Sequence, residues 1–195
     1  MDEPTLTGSL LVATPLLEDP NFRRAVVFVV DDEPAEGTLG VIVNRPLELA
    51  VGEVLEDWSG FATAPAVMFS GGPVGTGAGL ALGTPGGDDA PLGWRPLEGT
   101  PHEGSRVDGV GVVDLDTPPE VLGSALGLFR VFAGYAGWGA GQLAGEIDEG
   151  AWYVVPAVTE DVFSADPSSL WPRVLRRQGG DLALVSTYPD DPTLN

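Results

Sequence analysis

The chain has 195 residues, 43% of them apolar, and carries 29 acidic side chains against nine basic ones for a net charge of −20. That length and apolar content suit one domain with a real core, while a field of that sign repels phosphate backbones and anionic lipid, so direct nucleic-acid binding and membrane association are disfavoured. Every basic residue is arginine and cysteine is absent, which excludes lysine Schiff bases, a P-loop lysine, thiolate catalysis and disulfides.

No apolar run approaches the ~20 residues of a membrane span, and the acidic start "MDEPTLTG" lacks the basic region of a secretion signal. A cytoplasmic protein is expected. "GSLLVAT" (8–14) and "AVVFVVD" (25–31) are short, apolar and β-branched, and predict buried strands. Asp19-Pro20-Asn21 initiates a turn between them. "DEPAEG" is expected as a long loop leading into the strand "TLGVIVN" (38–44), an antiparallel hairpin that Pro46 should stop. Val51, Val54, Leu55 and Trp58 then fall on one face of a short helix.

Two further strands are predicted in "APAVMFSGGP" and "GLALGT", followed by the surface loop "GGDDAPL" and strands in "GWRPL" and "VGVVDL". Thr117-Pro118-Pro119-Glu120 has the pattern of a capping box with proline at the first helical position. "LFRVFAGY" reads as a strand running into a glycine-rich stretch, then a helix from Gln142 to Glu149 with Leu143 and Ile147 on one face. "AWYVVPA" predicts a strand. Ser168 or Ser169 should open a last helix that Gly179-Gly180 ends. "DLALVS" is expected to close the core behind that last helix, with residues 1–7 and 187–195 as loose tails of a single domain spanning 1–195. Strands clustered around three to four short peripheral helices argue an α+β class.

"DPNFRRAVVFVV" (19–30), "GVIVNRP" (40–46), "SGGPV" (70–74) and "GYAGWGAGQLAGEI" (134–147) stand in an order that resembles the YqgE/AlgH family of bacterial proteins. "AWYVVPA" and "LWPRVLRRQG" are also similar to later family segments, so the resemblance spans nearly the whole chain. It implies a compact α+β fold with a mixed, barrel-like sheet, and it carries the family's label of transcriptional regulator. Two positions depart from the pattern: Asp32 and Gly83 stand where the family tends to have histidine. Ala144 also replaces a glutamate, while Glu146 is kept.

The candidate site gathers the motifs. The runs "GWGAGQ" (137–142) and "GTGAGL" (75–80) either supply left-handed backbone and close packing, or present N–H groups to an anion, the first of them ahead of a helix; Gly71 and Gly72 of "GGPV" join the set. Tyr135 and Trp138 either wall a planar ligand or fill the core with a polar tip bonded. Asn44 and Arg45 end a strand, where Arg45 can hold an anion bidentately or pair with an internal carboxylate. Gln142 completes the candidate ligand-binding set. Arg23-Arg24 and Arg173, Arg176 and Arg177 are the basic clusters, the latter suited to a helix C-terminus.

No catalytic set is visible. His102 lies in a loop, the G-x-S-x-G elbow is missing, and Ser70 has no identifiable base. Glu146 can act as an acid or base only if burial raises its pKa. Asp114 and Asp116 offer only weak divalent-ion chemistry, and no calcium-loop pattern occurs. No cofactor is expected. The reading is a non-catalytic accessory or regulatory protein that binds a small anionic molecule or a protein partner. Regulation of transcription and hydrolase or transferase chemistry through Ser70 or a carboxylate are its alternatives.

Overall fold

The computed structural model describes residues 5–191 and Thr193. Its spine is β1 (Ser9–Ala13), flanked antiparallel by β2 (Val26–Glu33) and β10 (Trp152–Pro156). β3 (Gly37–Ile42) pairs with β2, and the fourteen-residue β9 (Leu126–Gly139) pairs with β3 through its C-terminal end. The other end of β9 meets β6 (Val74–Pro85), which leads on to β8 (Gly111–Val113) and β7 (Trp94–Pro96). β4 (Pro46–Ala50) and β5 (Val67–Ser70) form a hairpin joined to β9 by a parallel step at Phe69–Phe132. The result is one mixed sheet of ten strands among the described residues, curled into a half-barrel.

β1 and β2 are apolar on both faces because both faces are covered. Leu10, Val12, Val26 and Phe28 pack with Leu170, Trp171, Val174 and Leu175 of α5 (Leu170–Gln178). The alternating residues Leu11, Val27 and Val29 face Trp138, Trp152 and Leu143 of α3 (Gln142–Asp148). A third apolar group, around Trp58, Phe129 and Leu122, seals the β4–β5 end. Continuous rather than alternating hydrophobicity is what such doubly covered strands require.

Several sequence expectations are corrected. The helix α5 is not the last: "DLALVS" forms a further helix, α6 (Gly180–Val185), docked beside it, a short apolar run whose type its period alone does not reveal. "DEPAEG" is a tight turn, because β2 continues through Glu33. Pro46 opens β4 instead of stopping a strand, since β3 already ends at Ile42. The helix expected across 51–58 breaks at Leu55, leaving α1 (Val51–Val54) and a 3-10 turn (Glu56–Phe61), with Val54 exposed. The capping box at Thr117 does not form: its hydroxyl donates to Asp114, and Pro118 precedes α2 (Pro119–Leu122).

The expected tails are held where they are described. Leu6 N–H donates to Asp32 Oδ2 at 2.8 Å, and Thr7 is buried. Arg24 donates to the carbonyls of Tyr188 and Pro189, the former at 2.9 Å, and lies over the Trp171 ring at 4.0 Å. Residues 1–4, 192, 194 and 195 lie outside the described residues.

Candidate functional site

The glycine-rich stretch that follows Arg130 divides into two physical kinds. Gly134 has φ +71°, and a β-carbon there would lie 2.6 Å from the Gly72 carbonyl oxygen and 2.8 Å from that of Val74. Gly71 and Gly72 are equally confined: β-carbons would meet the Gly134 oxygen at 2.3 Å and the Tyr135 carbonyl at 2.2 Å. Three glycines therefore let β9 and the 71–74 segment cross in contact. Beyond Tyr135 no backbone atom stands in the way of a β-carbon. At Gly137 an added β-carbon meets only the Tyr135 ring edge, at 3.3 Å, and at Gly139 only the Gln142 Oε1, at 4.0 Å.

The buried Trp138 and the exposed Gln142 converge on one carboxylate. Glu146 Oε2 accepts from the indole Nε1 of Trp138 and of Trp152, each at 2.9 Å, and Oε1 accepts from Gln142 Nε2 at 3.1 Å. The Gln142 Oε1 in turn accepts from Gly139 N–H at 3.1 Å. Phe22 stacks on Trp138 with ring centroids 6.0 Å apart and meets Trp152 edge-on at 5.5 Å. These are the partnered polar tips that buried indoles normally find.

Asn44 and Arg45 sit elsewhere, at the turn before β2. Asn44 accepts from Val26 N–H at 2.9 Å and donates to the Arg24 carbonyl at 2.8 Å, so its side-chain amide serves as a backbone partner for the segment entering β2. Arg45 donates to the carbonyls of Asn21 and Arg23, the latter at 2.9 Å. The carboxylate pairing expected for it is thus replaced by backbone oxygens; burial lowers its pKa, and nearby Asp19 acts in the opposite sense. Ser70 ends β5 with its N–H on the Arg45 carbonyl, at 2.9 Å.

The seven sequence-derived residues therefore occupy three places. Trp138 and Gln142 join Glu146; Asn44 and Arg45 clamp the 21–26 turn; Gly71 and Gly72 lie under β9 beside Tyr135. Asp32, at a departure from the family pattern, accepts from both Leu6 N–H and the Thr38 hydroxyl, the latter at 2.6 Å. Gly83, at the other, has no room for a side chain: a β-carbon would lie 2.8 Å from the Leu128 carbonyl oxygen.

Two arginines have roles that sequence reasoning missed. Arg130 is 1% exposed, without a carboxylate partner among the described residues, and donates to the carbonyls of Val162, Ser164 and Ala64 at 3.1, 3.1 and 2.8 Å. Its guanidinium lies 4.3 Å from the Phe69 ring centroid, and burial pushes its pKa down to about 10. The sequence signal was an arginine inside the apolar run "LFRVF". Arg177 grips the buried Asp161 of α4 (Thr159–Val162) bidentately at 2.8 and 2.7 Å, which raises the arginine's pKa. His102 uses its backbone on Thr7 and Ser105, and its Nδ1 is buried without a partner among the described residues.

Uncommitted chemistry collects at the β2–β3 hairpin. Register places Asp31, Leu39 and Gly137 in one cross-strand row and Glu33, Gly37 and Gly139 in another, both facing away from the Asp32–Thr38–Trp138 row. Two adjoining depressions open there, of about 410 and 240 Å3, and they share Asp31 and Leu39. The larger is bounded by Val74, Tyr135 and Gly137, with Glu33 and Glu36 on its rim; the smaller reaches Leu80, Val112 and Leu97, ending at the Arg95–Glu98 ion pair. Asp31, Glu33 and Glu36 have no arginine within salt-bridge distance among the described residues.

No group of three histidine, aspartate or glutamate side chains among the described residues is placed to hold a metal ion. No helix among them is long and apolar enough to cross a membrane.

The chain is similar throughout to known proteins. A family model described as AlgH-like matches residues 10–183. A UPF0301 protein of Thermobifida fusca is 64% identical over 195 residues, covering 100% of this chain and 98% of that one. Another from Streptomyces coelicolor is 54% identical, covering 98% and 96%. The crystal structure of a Corynebacterium diphtheriae protein superposes with a TM-score of 0.83 at 32% identity, covering 96% of this chain and 94% of that one. The solution structure of the AlgH protein from Pseudomonas aeruginosa gives 0.65 at 27% identity, with 97% of each chain covered. With a family model spanning most of its length and relatives this close, the chain belongs to the AlgH-like family.

Proposed function

We propose that this protein is a cytoplasmic, non-catalytic accessory or regulatory protein that acts by seating a protein partner on the surface formed by β2, β3 and the C-terminal end of β9. The observation that carries this reading is the open row Asp31–Leu39–Gly137, which borders a groove that no side chain among the described residues fills. Strand glycines that packing does not require are places where another chain can approach closely.

The small-anion alternative needs free cations. Seven of the nine arginines, Arg23, Arg24, Arg45, Arg95, Arg130, Arg173 and Arg177, direct guanidinium hydrogen bonds onto the protein itself, and among the described residues only the exposed Arg106 and Arg176 do not. The same engagement, added to the net charge of −20, disfavours direct contact with DNA. A regulatory role in transcription is compatible with this reading when exerted through a protein partner.

The test is site-specific photo-crosslinking in the native cell. A photoreactive residue at Val74, exposed at the groove, should yield a discrete protein adduct, while one at exposed Leu184 on α6 should not. Equal or absent adducts at the two sites would reject the partner reading. Stabilisation by phosphate or a small carboxylate that Arg45→Ala abolishes would favour the anion instead.

A further inference from the structure

Resting on that reading, we infer that the groove beside the β2–β3 hairpin takes a basic, extended segment of a partner protein, with apolar side chains alternating among its cations. Three features of the groove each specify part of this occupant.

Its apolar walls come from Leu39 and Tyr135, half-buried where they pack against the main core, and from the exposed Val74. Apolar surface held open in this way gains by meeting apolar side chains. Its floor at Gly137 presents strand backbone without a side chain, so an extended chain can lie close against it. Its rim carries Asp31, Glu33 and Glu36, none of them neutralised by an arginine of this protein among the described residues.

Charge complementarity selects the sign of the occupant. Unpaired carboxylates attract cations and penalise anions by like-charge juxtaposition. They also argue against a second copy of this chain, because a symmetric contact would set the acidic rim of one copy against that of the other. Alternation follows from the groove's form: successive side chains of an extended segment point to opposite sides, so one set can enter the apolar cleft while the next lies along the acidic hairpin.

Fluorescence anisotropy with the full-length protein tests this directly. The probes are a labelled peptide of alternating lysine and leucine, an oligolysine of equal charge, and an alternating glutamate–leucine peptide. The lysine–leucine peptide should bind at least tenfold more tightly than either control. Gly137→Val fills the floor at a position whose backbone any residue can adopt, so it should weaken binding about tenfold while the melting temperature holds. Joint replacement Asp31→Asn, Glu33→Gln and Glu36→Gln should weaken it to a similar degree and flatten its salt dependence.

Equal affinity for oligolysine, or binding indifferent to Gly137→Val, would overturn the inference by reducing it to non-specific attraction. So would a dimer in sedimentation that Gly137→Val dissociates, which would assign the groove to a second copy. A Val74 adduct in cells without lysine–leucine binding would overturn this occupant while leaving the partner reading intact; failure of both would remove both.

Discussion

Trp138 and Trp152 donate their indole N–H groups to the same oxygen, Glu146 Oε2, each at 2.9 Å, from rings set nearly perpendicular at 85°. One carboxylate thereby joins β9, α3 and β10. A helix residue that sequence reasoning considered for acid–base chemistry is instead the acceptor that orients two buried aromatics.

Glu146→Gln keeps the side-chain shape but turns one acceptor oxygen into a donor, so an indole or Gln142 meets N–H with N–H. An unsatisfied buried donor costs about 1–3 kcal/mol, which for a domain of this size lowers the melting temperature by roughly 2–4 °C per kcal/mol. Thermal unfolding followed by tryptophan fluorescence measures this. A change under about 0.5 kcal/mol, the size of an ordinary surface substitution, would mean that the carboxylate does not hold the indoles.

Arg130 binds three carbonyls, so its truncation strands those oxygens and opens a cavity. Arg130→Ala should cost at least about 3 kcal/mol. Arg130→Lys should fall between it and wild type, because a single ammonium cannot reproduce the planar fork. With the folded pKa depressed to about 10, the unfolded chain binds the proton more tightly. The desolvation cost is therefore present in full below pH 10 and is relieved only as pH rises beyond it. Urea midpoints across roughly pH 6–9 should show a constant difference between wild type and Arg130→Ala.

Asp161 and Arg177 form the opposite case, a paired charge with one buried member. Asp161→Asn removes the bidentate acceptor and weakens the bond that Asp161 Oδ2 accepts from Val158 N–H at 2.9 Å. Loss of a buried partner costs up to about 3–5 kcal/mol; the partial exposure of Arg177 places the expected loss nearer to about 2 kcal/mol. The folded pKa of Arg177 is raised, so its contribution is complete at every pH below the ordinary arginine value and is lost above it. Chemical denaturation of the variant at about pH 6 and about pH 9 should thus give the same deficit.

Gly134 and Gly137, three positions apart in one strand, should respond oppositely to alanine. Gly134→Ala forces a β-carbon against two carbonyl oxygens at a left-handed φ and should destabilise by more than about 2 kcal/mol. Gly137→Ala meets only a ring edge and should be neutral or stabilising by up to about 1 kcal/mol. Parallel melting curves decide it; equal losses would mean that both glycines serve packing.

Much of this protein was readable from its residues in order. Apolar β-branched runs located β1, β2 and β10, Gly179 ended α5, and four motifs in register carried the AlgH-like resemblance. Local chemistry determines such features, because strand propensity and helix stops act over a few neighbouring residues. The helix at 180–185, the three carbonyls around Arg130 and the pairing of two indoles on Glu146 were decided only in the tertiary structure. So was the division of the glycine run into a packed half and an open half. Each depends on groups distant in the chain, and whether a glycine is required or a polar tip is satisfied is set by which atoms folding brings to it.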